Sequence, residues 1–239
     1  MAESFIVPAR FCGPPNSGNG GYTCGMLASE IGGIVECTLR KPVPLDAPLR
    51  IERRNSSANL VKGDEIIVEA IPSEITLQLP ELVSEKLVAG AMEHSPALDA
   101  VHPFPGCFVC GPHRQVGDGL RIFPGAMMEG SLFGAIWLPA KEFGNAQGFL
   151  RTEFLWAALD CPTGFAAGFP LTGKLVTGRL AVEQREQVKT GAECTLLSWP
   201  LGTEGRKHFS GACLYQHQKV CAVARATWIR LDESTKRNC

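Results

Sequence analysis

The 239 residues, 45% of them hydrophobic and 20% charged, suffice for one large domain or two small ones sharing a substantial core. A balance of 23 Lys and Arg against 24 Asp and Glu, with no long basic run to track a phosphate backbone, argues against a nucleic-acid partner. MAESFIVPARFCGPP lacks the character of a signal peptide and no segment reaches the ~20 apolar residues that span a bilayer, so a cytoplasmic protein without a membrane partner is expected.

Residues 13–21, GPPNSGNGG, read as a loop entering YTCGMLASEI, where the spacing of Tyr22, Met26 and Ile31 predicts a short helix capped by Asn19 or Ser17. Three strand runs are predicted next: IVECTLRKPVPL, PLRIERRNSS and DEIIVEAIPS, the last entered through Lys62-Gly63-Asp64. Leu82, Leu87, Val88 and Met92 predict a connecting helix ended by Ser95-Pro96. A second unit opens at GDGLRIFPGAMMEGSLFGAIWLP, read as two strands joined by the loop around Gly125 to Gly130, followed by a Gly/Asn/Gln loop at 144–148. EFLWAALDCPTGFAAGF is the strongest helical segment, with Pro162 expected to end or kink it near Ala158.

Three more strand runs follow: GKLVTGRLAVEQRE, AECTLLSWPLGTEGRKHFSGACLYQH and KVCAVARATWIRL. Alternation is clearest where Ala222, Ala224, Ala226 and Trp228 interleave with Arg225 and Thr227. The tail DESTKRNC is polar and expected to fray. The two halves form a degenerate repeat, and strands following one buried helix predict antiparallel pairing, because a parallel sheet would need helices between successive strands. Cys24, Cys37, Cys194, Cys213 and Cys221 fall inside apolar segments, which predicts reduced core thiols.

GPPNSGNGGYTCGMLASE, CFVCGPHRQVGDGLRIFPG and EFLWAALDCPTGFA together resemble the hotdog-fold thioesterase-like superfamily, particularly its double-hotdog members. The resemblance implies an α+β fold of two hotdog-type units, each a curled antiparallel sheet around a central helix. The first unit would take residues 1–80, a linker with a helix 81–105, and the second unit 106–239. It implies a built-in dimer without a cofactor that takes acyl-CoA or another acyl thioester between each helix and its partner, and it leaves room for a homodimer of such chains.

Thioester hydrolysis needs donors that polarise the carbonyl and a carboxylate that activates water or attacks directly. Asn19-Gly20-Gly21 resembles the His-Gly-Gly helix entry of phenylacetyl-CoA-type thioesterases, and its glycines leave backbone N–H groups open to a ligand. Asn19 replaces the histidine, and the family's acid, about two turns into the helix, falls near Ala28 rather than Glu30; a structural turn and cap is the competing reading. Asp160 ends the apolar run FLWAALD, where burial would raise its pKa toward that of a general base; the alternative is a cap for a turn starting at Cys161-Pro162. Glu153, seven residues earlier on the same face, is either a second catalytic carboxylate or an exposed first-turn residue complementing the helix dipole. Gly148 and Trp156 join Gly20 and Gly21 as candidate substrate-binding residues.

Cys107 and Cys110 form a CxxC with His113 nearby, which is half of a zinc signature; no second pair follows, so no metal is expected and 106–119 is read as a loop shaping the cleft. His94, His102, His208 and His217 lack metal spacing, Ser17, Ser29 and Ser210 lack a nucleophile elbow, and no nucleotide-binding glycine motif occurs. The leading expectation is a thioesterase-like hydrolase, with a non-catalytic acyl-CoA or lipid-like binder as alternative and a hydratase or dehydratase on the same fold last.

Overall fold

A computed structural model describes residues 4–98 and 102–231; the polar tail predicted to fray lies outside the described residues. The first half contributes β1 (Ser4–Ile6), α1 (Gly20–Ala28), β2 (Val35–Leu39), β3 (Pro48–Arg54), β4 (Ser57–Lys62) and β5 (Glu65–Pro72). After the connecting helix α2 (Glu85–Met92) come β6 (Gly125–Met127), β7 (Leu132–Trp137), α3 (Thr152–Ala166), β8 (Leu175–Gln184), β9 (Cys194–Glu204), β10 (Lys207–Gln216) and β11 (Lys219–Arg230).

All of these strands join one sheet in the order β1-β3-β4-β5-β2-β8-β11-β10-β9-β7-β6. Every neighbouring pair is antiparallel. Outward from the β2–β8 seam, each half runs through the first strand after its helix, then the fourth, third and second strands after it, and then a strand that precedes the helix, with β6 added at the outer edge of the second half, so the repeat is topological. The seam pairs Val35 with Val182 and Thr38 with Arg179, and Glu36 spans it with ion pairs to Arg179 at 3.5 Å and Arg225 at 3.1 Å. The sheet expected of each half is therefore one continuous sheet, because the seam strands satisfy each other's backbone groups instead of ending in exposed edges.

The two helices lie against one face of this sheet and against each other. Eight of nine residues in α1 and fourteen of fifteen in α3 are buried, as expected of helices surrounded by protein on all sides. Gly21 and Gly25 let the helices touch: a Cβ on Gly21 would sit 2.6 Å from the Trp156 carbonyl oxygen, and one on Gly25 would sit 2.7 Å from the Glu153 Cα. On the sheet's other face, residues 75–79 and α2 cover a smaller apolar layer around Val88, Leu197, Cys213 and Val223. Strand alternation divides the layers: Leu196, Leu214, Ala222 and Ala224 face the main core while their neighbours Leu197, Cys213 and Val223 face the second.

Several local expectations change. Pro162 does not end α3. The Ser198 hydroxyl donates to the Pro162 carbonyl at 2.8 Å and the Trp228 indole donates to Thr163 Oγ1 at 2.8 Å, so contacts from the sheet carry the helix past the missing N–H. The run 192–217 holds two strands turning at Gly205, whose φ of 60° suits glycine. In the first half, β1 and β4 are additional to the three predicted runs. GLRIF is loop rather than strand: the N–H groups of Leu120 and Ile122 donate to the carbonyls of Phe108 and Val109, within the segment that precedes β6.

Candidate functional site

Asn19 caps α1 by accepting the Tyr22 N–H through its side-chain oxygen at 2.9 Å, so Ser17 is left to bond the Val43 N–H instead. The helix head then points at the middle of α3. There the Asp160 Oδ2 accepts the Gly21 N–H at 2.9 Å and the Asn19 amide at 3.3 Å, while Oδ1 accepts the Thr177 hydroxyl at 2.7 Å. Asp160 thus lies inside α3, and the expectation that it caps a new turn is replaced: its side-chain bonds go to Asn19 and Gly21 of the opposite half and to Thr177 of β8 rather than forward along its own helix.

The carboxylate is 1% exposed. Burial pushes its pKa up to about 6 against the three donors, which act to lower it. The loop carrying Cys107 lies beside it, and Phe108 of that loop packs on the α1 head in an aromatic cluster, where Phe11 stacks on Tyr22 at 4.2 Å and meets Phe108 edge-on at 4.9 Å. The Phe108 N–H donates to the Cys12 carbonyl and Arg114 donates to the Arg10 carbonyl, fastening that loop to the segment that leads into α1.

Asn19, Gly20, Gly21 and Asp160 are thereby brought together, and Thr177 of β8 joins them. Glu153, Trp156 and Gly148 belong to the other end of the helix pair. Glu153 is buried at the first turn of α3, 3.4 Å from Arg151, so it is not the exposed residue that one reading expected. Trp156 borders a cleft of about 970 Å³ at the head of α3, with Ala28 and Gly33 of the first half opposite. Gly148 turns the loop before α3 with a φ of 80°, and its carbonyl accepts from Thr190.

The two ends differ at the position facing the opposite helix head. Ala28 is eight positions after the start of α1, as Asp160 is eight after the start of α3. The covered end has an acid at that position and the open end has alanine. Thr177 escaped the sequence reading because nothing in GKLVTGRL marks one threonine of a strand as facing an acid 17 positions earlier.

Asn19→Ala would remove the cap and leave the Tyr22 N–H without its acceptor. The expected loss is about 1 kcal/mol, or roughly 2–4 °C in Tm, read by thermal unfolding of the two proteins side by side.

No protein-family model matches the sequence, and no curated protein matches it. Among solved structures, the tesB protein of Mycobacterium avium subsp. paratuberculosis superposes with a TM-score of 0.61 at 12% identity, covering 95% of this chain and 91% of that one. A Lactobacillus plantarum protein assigned as an oleoyl thioesterase superposes with a TM-score of 0.58 at 10% identity, covering 97% of this chain and 96% of its own. The likeness is one of fold: over almost its whole length this chain is folded like these two chains.

Proposed function

We propose that the protein hydrolyses acyl thioesters at the head of α1, with Asp160 as general base and the N–H groups of that head as the polarising donors. One observation carries this reading: an acid of one half sits 2.9 Å from a helix-head N–H of the other half. We read residues 1–80 and 106–239 as the two hotdog units, with 81–105 as linker; the topological repeat about β2 and β8 supports that division. The oleoyl name of one structural neighbour supports an acyl thioester as the substrate class.

In the proposed reaction Asp160 takes a proton from water as the water oxygen bonds to the thioester carbonyl carbon. Negative charge then moves to the carbonyl oxygen, where a helix-head N–H stabilises it. Protonation also weakens the hold of Asp160 on the Gly21 N–H, which frees that donor when the oxyanion needs it. Collapse expels the thiol, which leaves with the proton from Asp160, and the carboxylate is restored. Substrate entry requires the Cys107 loop to lift from the α1 head, since Asp160 is shielded at rest.

A second reading, binding of an acyl thioester without turnover, is favoured by the open cleft at the head of α3, where Ala28 holds the position matching Asp160. An acyl-CoA panel assayed for thiol release and for thermal shift in the same samples separates the two. Release accompanied by a shift at the same acyl length supports hydrolysis, a shift without release supports binding alone, and neither signal at any length would remove both readings.

A further inference from the structure

We propose that Cys107, Cys110 and Cys161 form a binding site for zinc, which pins the loop before β6 to α3. The three sulfurs lie within 4.8 Å of one another and all three residues are buried. Cys107 Sγ and Cys161 Sγ are 3.8 Å apart, and all three are free thiols. Zinc–sulfur bonds of about 2.3 Å in a tetrahedron set sulfurs roughly 3.8 Å apart, whereas a disulfide needs about 2.05 Å.

The loop is shaped to present thiolates. In Cys107-Phe108-Val109-Cys110-Gly111 the Gly111 N–H closes back on the Cys107 carbonyl at 2.9 Å. A Cβ at Gly111 would come within 2.4 Å of that same oxygen, so only glycine permits the turn. Cysteine sulfurs bind zinc as thiolates, and a dication on three of them leaves only one net negative charge to bury.

Among the described residues no histidine nitrogen or carboxylate oxygen lies within 4.8 Å of all three sulfurs. The fourth zinc position therefore falls to a small exogenous ligand such as water. Zinc would link the loop beside Asp160 to the helix that carries Asp160, making closure of the α1 head dependent on the metal. The site stands independently of the proposed hydrolysis, since it rests on the sulfur positions alone.

The test uses the full chain, reduced and stripped with a chelator, then titrated with Co²⁺ and separately with Zn²⁺. The expected result is about one equivalent bound, with the sulfur-to-cobalt charge-transfer band and intense visible bands of a tetrahedral thiolate centre. Both bands should be displaced by zinc and be lost in Cys107→Ser and in Cys161→Ser. Cys213→Ser, a buried thiol on the opposite face of the sheet, should retain them. Absence of thiolate bands in the wild-type protein would overturn the proposal, as would bands that survive Cys161→Ser or a Cys107–Cys161 disulfide in place of the metal. The wild-type titration decides the question even where a variant fails to fold.

Discussion

Gly21→Ala is expected to lower stability by about 3 kcal/mol or more, which for a chain of this length means a fall in Tm of roughly 6–12 °C. The added methyl group would lie 2.5 Å from the Asp160 Cβ, 2.6 Å from the Trp156 carbonyl oxygen and 2.9 Å from the Ala157 Cα. Two of these three atoms are backbone, on a helix with fourteen buried residues, so no flexible side chain can swing aside. Gly90→Ala supplies the opposite sign. Gly90 is exposed in α2 and a Cβ there meets nothing within 4 Å, so alanine should stabilise by ~0.5–1 kcal/mol through helix propensity alone. Chemical denaturation of both variants beside the parent checks the pair; a Gly21→Ala protein as stable as the parent would contradict the helix contact described here.

Asp160 carries the second large effect. Asp160→Ala leaves the Gly21 N–H, the Asn19 amide and the Thr177 hydroxyl facing a void, and should cost about 3 kcal/mol, since each buried donor without a partner costs ~1–3 kcal/mol and the hydroxyl can turn away. Asn fits the same site: its oxygen accepts from Gly21 and Asn19 while its amide donates to the Thr177 oxygen. The pH dependence follows from the raised pKa. A carboxyl at about 6 in the folded state, above its unfolded value near 3.9, binds more protons folded than unfolded, so ionisation opposes folding. The folded protein loses stability as pH rises from about 4 to 6, and above that window the loss is of order 2–3 kcal/mol. Asp160→Asn should therefore match the parent near pH 4 and exceed it near pH 8, measured on chelator-treated protein so that no cation at Cys161 intervenes.

The residues legible in the sequence are those whose signal is local. Asn19 followed by two glycines reads as a helix entry, and Asp160 stands out as an acid closing an apolar helical run. What escaped is set by apposition between distant segments. Gly21 reads as the end of a loop and Gly25 as one residue of a helix until α3 is laid across them, and Cys161 reads as the start of a turn until the loop brings Cys107 and Cys110 to it. GLRIF has the apolar character of a strand, yet its N–H groups are already taken by Phe108 and Val109. The β2–β8 seam depends on two halves meeting in register, which no window of either half encodes.

The most direct measurement of the central claim is thiol release from an acyl-CoA that the parent protein turns over, repeated with Asp160→Asn under the same conditions. Because the amide keeps the donors satisfied and the fold intact, the account predicts a loss of about 10²–10⁴-fold in kcat with melting behaviour no worse than the parent's. Turnover by Asp160→Asn equal to that of the parent would contradict it.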